Sequence, residues 1–373
     1  MKLTANQWLD RIRALPLARA VRIMNVCGGH ERSITMAGLR SALPANIELI
    51  PGPGCPVCIC PEEDVYEAIQ MALNENIILV AFGDMLRVPV NVAKGQVRTL
   101  AEAKAQGADI RPIASPLEAV KIAGENRGVP VVFFAAGFET TTAPVAAMLV
   151  EGVPDNLFLL LSGRLTWPAV AMLLDSGEAG FHALIAPGHV ATVMGPEEWQ
   201  FVVDKHDMPA AIAGFTTESL LAAMYSVIRQ SLDRRYFLDN CYPELVREGG
   251  NPSARRHLQQ AFDVKDANWR GVGSIENSGY VLSSQYKHHD AREQFRGYAG
   301  NARKRAGEMP PGCDCASVVL GKIYPDQCRL YGKACVPRNP IGPCMVSDEG
   351  ACRIWWANGL RKATASKGKQ VSN

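Results

Sequence analysis

Val131-Val132-Phe133-Phe134-Ala135-Ala136-Gly137-Phe138-Glu139-Thr140-Thr141 decides the reading of the chain. Val131 to Phe134 is an apolar run of strand length, unbroken by polar residues as a strand covered on both faces would be, and it leads into a glycine-bearing turn. The same kind of run recurs on either side: Val21 to Val26, Ile47 to Ile50, Ile77 to Phe82, Ile110 to Ile113, Leu157 to Leu161, Ala183 to Ala186 and Ala210 to Ala213. Eight such runs alternating with helix-like segments predict an α/β fold on parallel sheets. Among those segments, Leu100 to Gln106 and Leu117 to Ala123 read as helices, the second opened by Ser115 as cap and Pro116 in the first turn. Trp8, Leu9, Ile12 and Leu15 recur at helical spacing and predict an opening helix that stops before Pro16.

The strands divide into two sets of about four at Arg127-Gly128-Val129-Pro130, which predicts two similar α/β lobes over residues 1–127 and 128–234. Turns at Cys27-Gly28-Gly29-His30, Pro51-Gly52-Pro53-Gly54, Gly83-Asp84, Gly137-Phe138-Glu139, Gly163, Pro187-Gly188-His189 and Gly214-Phe215 follow these strands. The carboxyl ends of parallel strands face the ligand crevice, so these turns are expected to converge on one cleft. Past about residue 235 the rhythm fails. A smaller, irregular C-terminal domain over 235–373 is expected, with a frayed polar tail from Lys362 to Asn373.

At about 150 residues per domain, 373 residues suffice for ordinary cores without disulfide staples. A hydrophobic fraction of 47%, a charged fraction of 20% and a net charge of +2 exclude a disordered chain and disfavour nucleic acid as partner. The opening residues form no secretory leader and no apolar run is long enough for a membrane span, so a cytoplasmic protein is expected. Eleven cysteines then call for explanation by metal, redox chemistry or burial rather than by structural disulfides.

Cys315, Cys328, Cys335 and Cys352 have 12, 6 and 16 residues between successive members. Four thiolates suit a tetrahedral zinc or an iron-sulfur cluster; zinc favours pairs two to four residues apart, so the wide gaps lean toward a cluster, with inert burial the bland alternative. Cys313 and Cys344 are spares. Cys55-Pro56-Val57-Cys58 stands at an exposed strand end before a helix start and offers a redox pair, a metal site or simple packing. Cys60 adds a thiol without a role. Cys27-Gly28-Gly29-His30 sets a soft ligand beside a proton carrier, with two glycines giving room for a ligand. His189 and Glu139 occupy equivalent strand ends, where each alone reads as a turn residue and together as candidates for chemistry. The chain contains no P-loop, no complete dinucleotide fingerprint, no C-x-x-x-C-x-x-C radical motif and no G-x-S-x-G elbow.

Together, Cys27-Gly28-Gly29-His30, Gly52-Pro53-Gly54-Cys55-Pro56-Val57-Cys58, Gly137-Phe138-Glu139-Thr140-Thr141, Pro187-Gly188-His189-Val190 and Glu349-Gly350-Ala351-Cys352 resemble the HypD family of hydrogenase maturation factors, nearly chain-wide. The resemblance implies a role in building the iron, cyanide and carbon monoxide group of NiFe hydrogenases, as a redox-active scaffold more than a turnover enzyme. It implies that Cys27 holds this iron together with a cysteine of a small partner, HypC. Cys55 and Cys58 would form a reducible pair that also stands as a possible iron ligand, and Cys315, Cys328, Cys335 and Cys352 would hold a 4Fe-4S cluster feeding it. HypE would deliver cyanide and HypF prepare its precursor. The family often has a second histidine where this chain has Arg32, which does not release a proton near neutral pH. A cluster-dependent disulfide reductase and a zinc-stabilised adaptor are the rival functions.

Overall fold

All eight apolar runs form parallel strands, but in two sheets that interleave along the chain. The computed structural model describes residues 3–177, 179–298 and 309–359, so the expected frayed tail lies outside the described residues. Strands β1 (Val21–Asn25), β2 (Ile47–Pro51), β3 (Ile78–Phe82), β4 (Ile110–Ile113), β5 (Val131–Gly137), β6 (Leu157–Gly163), β7 (Ala183–Pro187) and β8 (Ala210–Ala213) match the sequence reading within a few residues. The first sheet has the order β2-β1-β7-β8-β9, where β9 is Leu238–Asn240, and the second β4-β3-β5-β6. Both are parallel throughout.

This corrects the expected strand division at residue 127. Strands β4 and β5, on either side of it, belong to one sheet, whereas β1 and β2 pair with the strands that follow β6. The two sheets share one arrangement, with an early strand inside, its successor outside and later strands on the other flank, two in the second sheet and three in the first. The boundary expected at 235 also moves, because β9 runs parallel to β8 and completes the first sheet. An antiparallel hairpin, β10 (Phe262–Trp269) and β11 (Gly273–Leu282), was not foreseen; it docks on the end of β6 through a bridge between Arg164 and Gly279. The cysteine-rich stretch is irregular, with short helices Cys315–Val319, Pro325–Gln327, Pro343–Met345 and Ala351–Ala357.

Successive residues of each strand feed cores on opposite faces, as the pleat requires. In the second sheet Val80, Phe133 and Leu159 face one core and Leu79, Phe134 and Leu160 the other. In the first, Ile23, Ile185 and Ala211 oppose Met24, Leu184 and Ile212. Burial on both faces is why these strands read as mostly unbroken apolar runs. The opening helix is Ala5–Arg13, capped by Thr4. Ser115 caps helix Pro116–Glu125: its Oγ accepts from Leu117 N at 3.3 Å, while Glu118 Oε1 accepts from Ser115 N at 3.1 Å. Among the described residues no helix is long and apolar enough to cross a membrane.

The shared topology creates two switch points, where chain connections leave neighbouring strands in opposite directions and open a crevice. One lies between β1 and β7, the strands that lead to Cys27 and His189. The other lies between β3 and β5, which lead to Gly83-Asp84 and to Phe138-Glu139.

Candidate metal centre

Cys27 begins helix Gly28–Met36 at the first switch point, in extended backbone with φ −158°. The backbone N–H groups of His30 and Gly29 turn onto its sulfur, an arrangement that favours thiolate. Burial opposes them and, with the Glu349 carboxylate nearby, pushes the thiol up to about 12. Close packing explains the glycines: a β-carbon on Gly54 would lie 2.4 Å from Cys27 N, and one on Gly29 would lie 2.5 Å from the Phe215 ring.

His30 is buried. Its Nε2 donates to the Ala213 carbonyl at 2.9 Å, which leaves Nδ1 as a lone pair without a partner. Burial, with His189 adding to it, lowers the imidazole to about 4, so it is neutral near pH 7. His189 is exposed, its ring 4.1 Å from that of Phe215, which in turn lies 5.1 Å from His30. Arg32 is exposed on the helix. The structure therefore brings Cys27, His30 and His189 to one switch point.

Glu139 belongs to different surroundings. It is wholly buried, its Oε1 accepting from Thr166 N at 2.6 Å and its Oε2 from Thr166 Oγ1 at 2.7 Å, at the start of helix Thr166–Asp175. Burial raises its carboxyl to about 7. Its charge is felt by Glu198 and Tyr280, so the strand-end turns do not all converge on one cleft. Asp84 does reach toward Cys27's surroundings: its Oδ2 accepts from Asp348 N at 3.3 Å, next to Glu349, which packs on Gly28.

Cys55 and Cys58 form a disulfide with Cα atoms 5.3 Å apart. Both are buried, contrary to the exposed position expected for them, because the cysteine-rich stretch covers them. Cys60 is 3.4 Å from Ser162 Oγ, which donates to Asp64 Oδ2 at 2.6 Å, and burial pushes its thiol up to about 12.

The C-terminal thiols gather in the same core as the disulfide. Cys315 hydrogen-bonds to Cys313 and to Cys344, and Cys344 also to Cys352. The bonds from Cys315 and Cys352 lower the Cys344 thiol. Cys328 lies within electrostatic reach of Cys313, and Cys335 of both Cys315 and Cys313. Cys313 and Cys344 are thus members of the sulfur group, not bystanders. Backbone N–H groups turn onto Cys328 and Cys335, including one from Ile341 to Cys335 Sγ at 3.4 Å. Gly342 is needed for space: a β-carbon there would lie 2.5 Å from Cys313 Sγ and 2.6 Å from Cys315 Sγ. Among the described residues no three Cys, His, Asp or Glu side chains are placed to hold a metal ion. A polynuclear cluster sets its ligands farther apart than one ion does, and a buried set of soft thiols with N–H donors fits it.

One narrow cleft joins these parts, lined by Cys27, Cys55, Cys344, Glu349, Asn25 and Glu31 among others. Glu31, missed in the sequence, ties the walls together: Oε2 accepts from Asn25 Nδ2 at 3.1 Å and Arg40 Nη2 at 2.8 Å, and Oε1 from Trp355 Nε1 at 2.7 Å. Nothing local marks it, since the partner that closes the cleft, Trp355, is distant in sequence.

A family model, HypD, described as the hydrogenase formation hypA family, matches residues 3–359. Hydrogenase maturation factor HypD2 of Bradyrhizobium diazoefficiens is 36% identical over 95% of this chain and 96% of its own. HypD of Rhodobacter capsulatus is 38% identical over 92% and 91%, and HypD of Escherichia coli 37% identical over 91% and 89%. With likeness of this extent on both sides, the chain belongs to the HypD family of hydrogenase maturation factors.

Proposed function

We propose that this protein is a cytoplasmic scaffold on which the iron, cyanide and carbon monoxide group of NiFe hydrogenases is put together, more a redox-active holder than a turnover enzyme. The observation that carries the reading is the narrow cleft shared by Cys27, the Cys55–Cys58 disulfide and Cys344. The iron is cargo. Cys27 offers it one soft thiolate, and a partner of the HypC type shares it through a second. HypE and HypF supply cyanide in this scheme.

His30, held neutral with Nδ1 free, serves as proton acceptor or hydrogen-bond partner at the start of the same helix. His189 and Phe215 form the outer wall. Glu139 works through Thr166 to hold the turn after β6 in place. Opening the Cys55–Cys58 bond takes two electrons and two protons and gives two thiols, which then stand beside Cys27 either as ligands or as a reductant.

The C-terminal thiols are suited to hold a 4Fe-4S cluster, which when bound supplies electrons one at a time. Cys328, Cys335 and Cys352 are three of its ligands and Cys315 the fourth by spacing, with Cys313, hydrogen-bonded to Cys315, its structural alternate. Burial of both disulfide sulfurs disfavours the rival reductase, which must present sulfur to a foreign protein. Co-expression with HypC, HypE and HypF followed by infrared spectroscopy tests the scaffold. Bands of bound cyanide and carbon monoxide are expected, and Cys27→Ser should abolish them while leaving the brown cluster absorption. Bands that persist in that variant move the iron to Cys55 and Cys58.

A further inference from the structure

Arg270 closes the β10 end of the hairpin turn, and its side chain is only 1% exposed. Its backbone N–H donates to Ile59 O at 2.9 Å, holding the last residue of the short helix that carries Cys58. Its Nη2 donates to Glu62 Oε2 at 3.1 Å and to Pro89 O at 2.6 Å. Glu62 is itself fixed by the Asn91 N–H. Nη2 is therefore anchored, whereas Nε and Nη1 are buried and donate to nothing.

Buried donors without acceptors are rare, because each gives up water with no return. Ile59, held by the Arg270 N–H, lies in the same core as Cys315, Cys328, Cys335 and Cys352, and a β-carbon on the next residue, Gly271, would lie 2.9 Å from the Ala316 side chain, beside Cys315. The neighbouring Trp269 packs in the same core as the C-terminal thiols and the disulfide. Unspent donors on a fixed cation thus lie against the thiol-rich core, where a filled site adds sulfur acceptors.

We propose that Arg270 donates a hydrogen bond from Nη1 to sulfur of the iron-sulfur centre and thereby sets its reduction potential, an inference that rests on the cluster reading above. Reduction adds one electron with no bond made or broken, and the added charge falls largely on sulfur. Donors and a positive charge in a low-dielectric site favour that state and raise the potential. Arginine suits the task better than lysine, since its rigid planar group lets Nη2 bind Glu62 and Pro89 while Nη1, which points away from them, faces sulfur. Arg270 is a positioning and tuning residue, not a ligand.

The test is redox titration followed by electron paramagnetic resonance on the purified full chain, comparing wild type, Arg270→Lys and the double variant Glu62→Gln/Arg270→Met, which leaves no buried carboxylate unpaired. Iron and sulfide content should stay at the wild-type level. At a fixed potential the reduced-to-oxidised ratio should fall about tenfold in the double variant, equivalent to about 59 mV for one electron, and by less in Arg270→Lys. Pulsed resonance on wild type labelled with 15N-arginine should show coupling to a guanidinium nitrogen in the reduced state, which guards against variants that fail to fold. Fully loaded variants that titrate at the wild-type potential, or wild type without that coupling, overturn the role of Arg270 alone. Wild type purified anaerobically without iron and sulfide overturns the cluster reading and this proposal with it.

Discussion

Trp355 Nε1 donates to Glu31 Oε1 at 2.7 Å, so the last described helix is bonded to the helix that Cys27 begins. The two residues stand at opposite ends of the chain, and the Arg40 guanidinium lies 5.2 Å from the Trp355 ring on the same side. Trp355→Phe keeps most of the buried area and removes the donor. It should cost about 1–3 kcal/mol, read as a fall of a few degrees in Tm. An unchanged Tm would mean that the bond does not join these segments in solution.

Iron and labile sulfide analysis should find about four irons per chain in anaerobically purified protein. Changing Cys328 to Ala should abolish them. Comparison of Cys313→Ala with Cys315→Ala then assigns the fourth ligand: spacing expects loss only in the second, and the reverse result moves that ligand by two residues. Cys344→Ala should keep the iron.

Cys55 and Cys58 should be trapped together, as two thiols or as none, when protein is equilibrated over a series of redox potentials and then alkylated. Because both are buried, alkylation should be slow in the native protein and needs denaturant at the quench. Protection of one thiol without the other would leave the pair a purely structural or ligating role.

Glu139 gives a pH signature. Burial raises its carboxyl from the ordinary range to about 7, so in the folded state it holds a proton that the unfolded chain has already released. The contribution is fully present below the unfolded value, near pH 4.5, and is lost as pH rises through about 7. Glu139→Gln mimics the protonated group. Its stability relative to wild type should improve between pH 5 and pH 8 by at most about 3 kcal/mol, measured by denaturant unfolding at each pH. A pH-independent difference would refute the raised value. Glu198, raised to about 8 by burial first and then by Glu139, should carry the trend a little higher.

The strands were legible because parallel strands covered on both faces need apolar side chains at most positions, and the eight runs have them, Arg22, Glu48 and Arg111 being the charged exceptions. Which strand joins which sheet was not, since Val21-Arg22-Ile23-Met24 and Ile78-Leu79-Val80-Ala81 carry no label for their neighbours. Leu238-Asp239-Asn240 is too short and polar to read as a strand, and β10 keeps most of its residues exposed, so the 3.6- and 2-residue rhythms are weak there. Cys27, His30 and the Cys55–Cys58 pair were visible because glycine-flanked strand ends are where chemistry is placed. Glu31, Arg270 and the membership of Cys313 and Cys344 depend on long-range packing. Glu139 was visible as a strand-end acid, but its commitment to Thr166, which lies past the next strand, was not.

The interleaving of the sheets orders events during synthesis. The second sheet is one uninterrupted stretch, β3 to β6, and can close as soon as it leaves the ribosome. The first cannot, because β1 and β2 must wait for β7 to β9 before their other edge is paired. Cys27 therefore emerges early but has no walls until residues near 240 have been made. The thiols that complete its cleft come later still. A nascent chain presents Cys27 as an ordinary exposed thiol, and the enclosed cleft exists only once nearly the whole protein is finished.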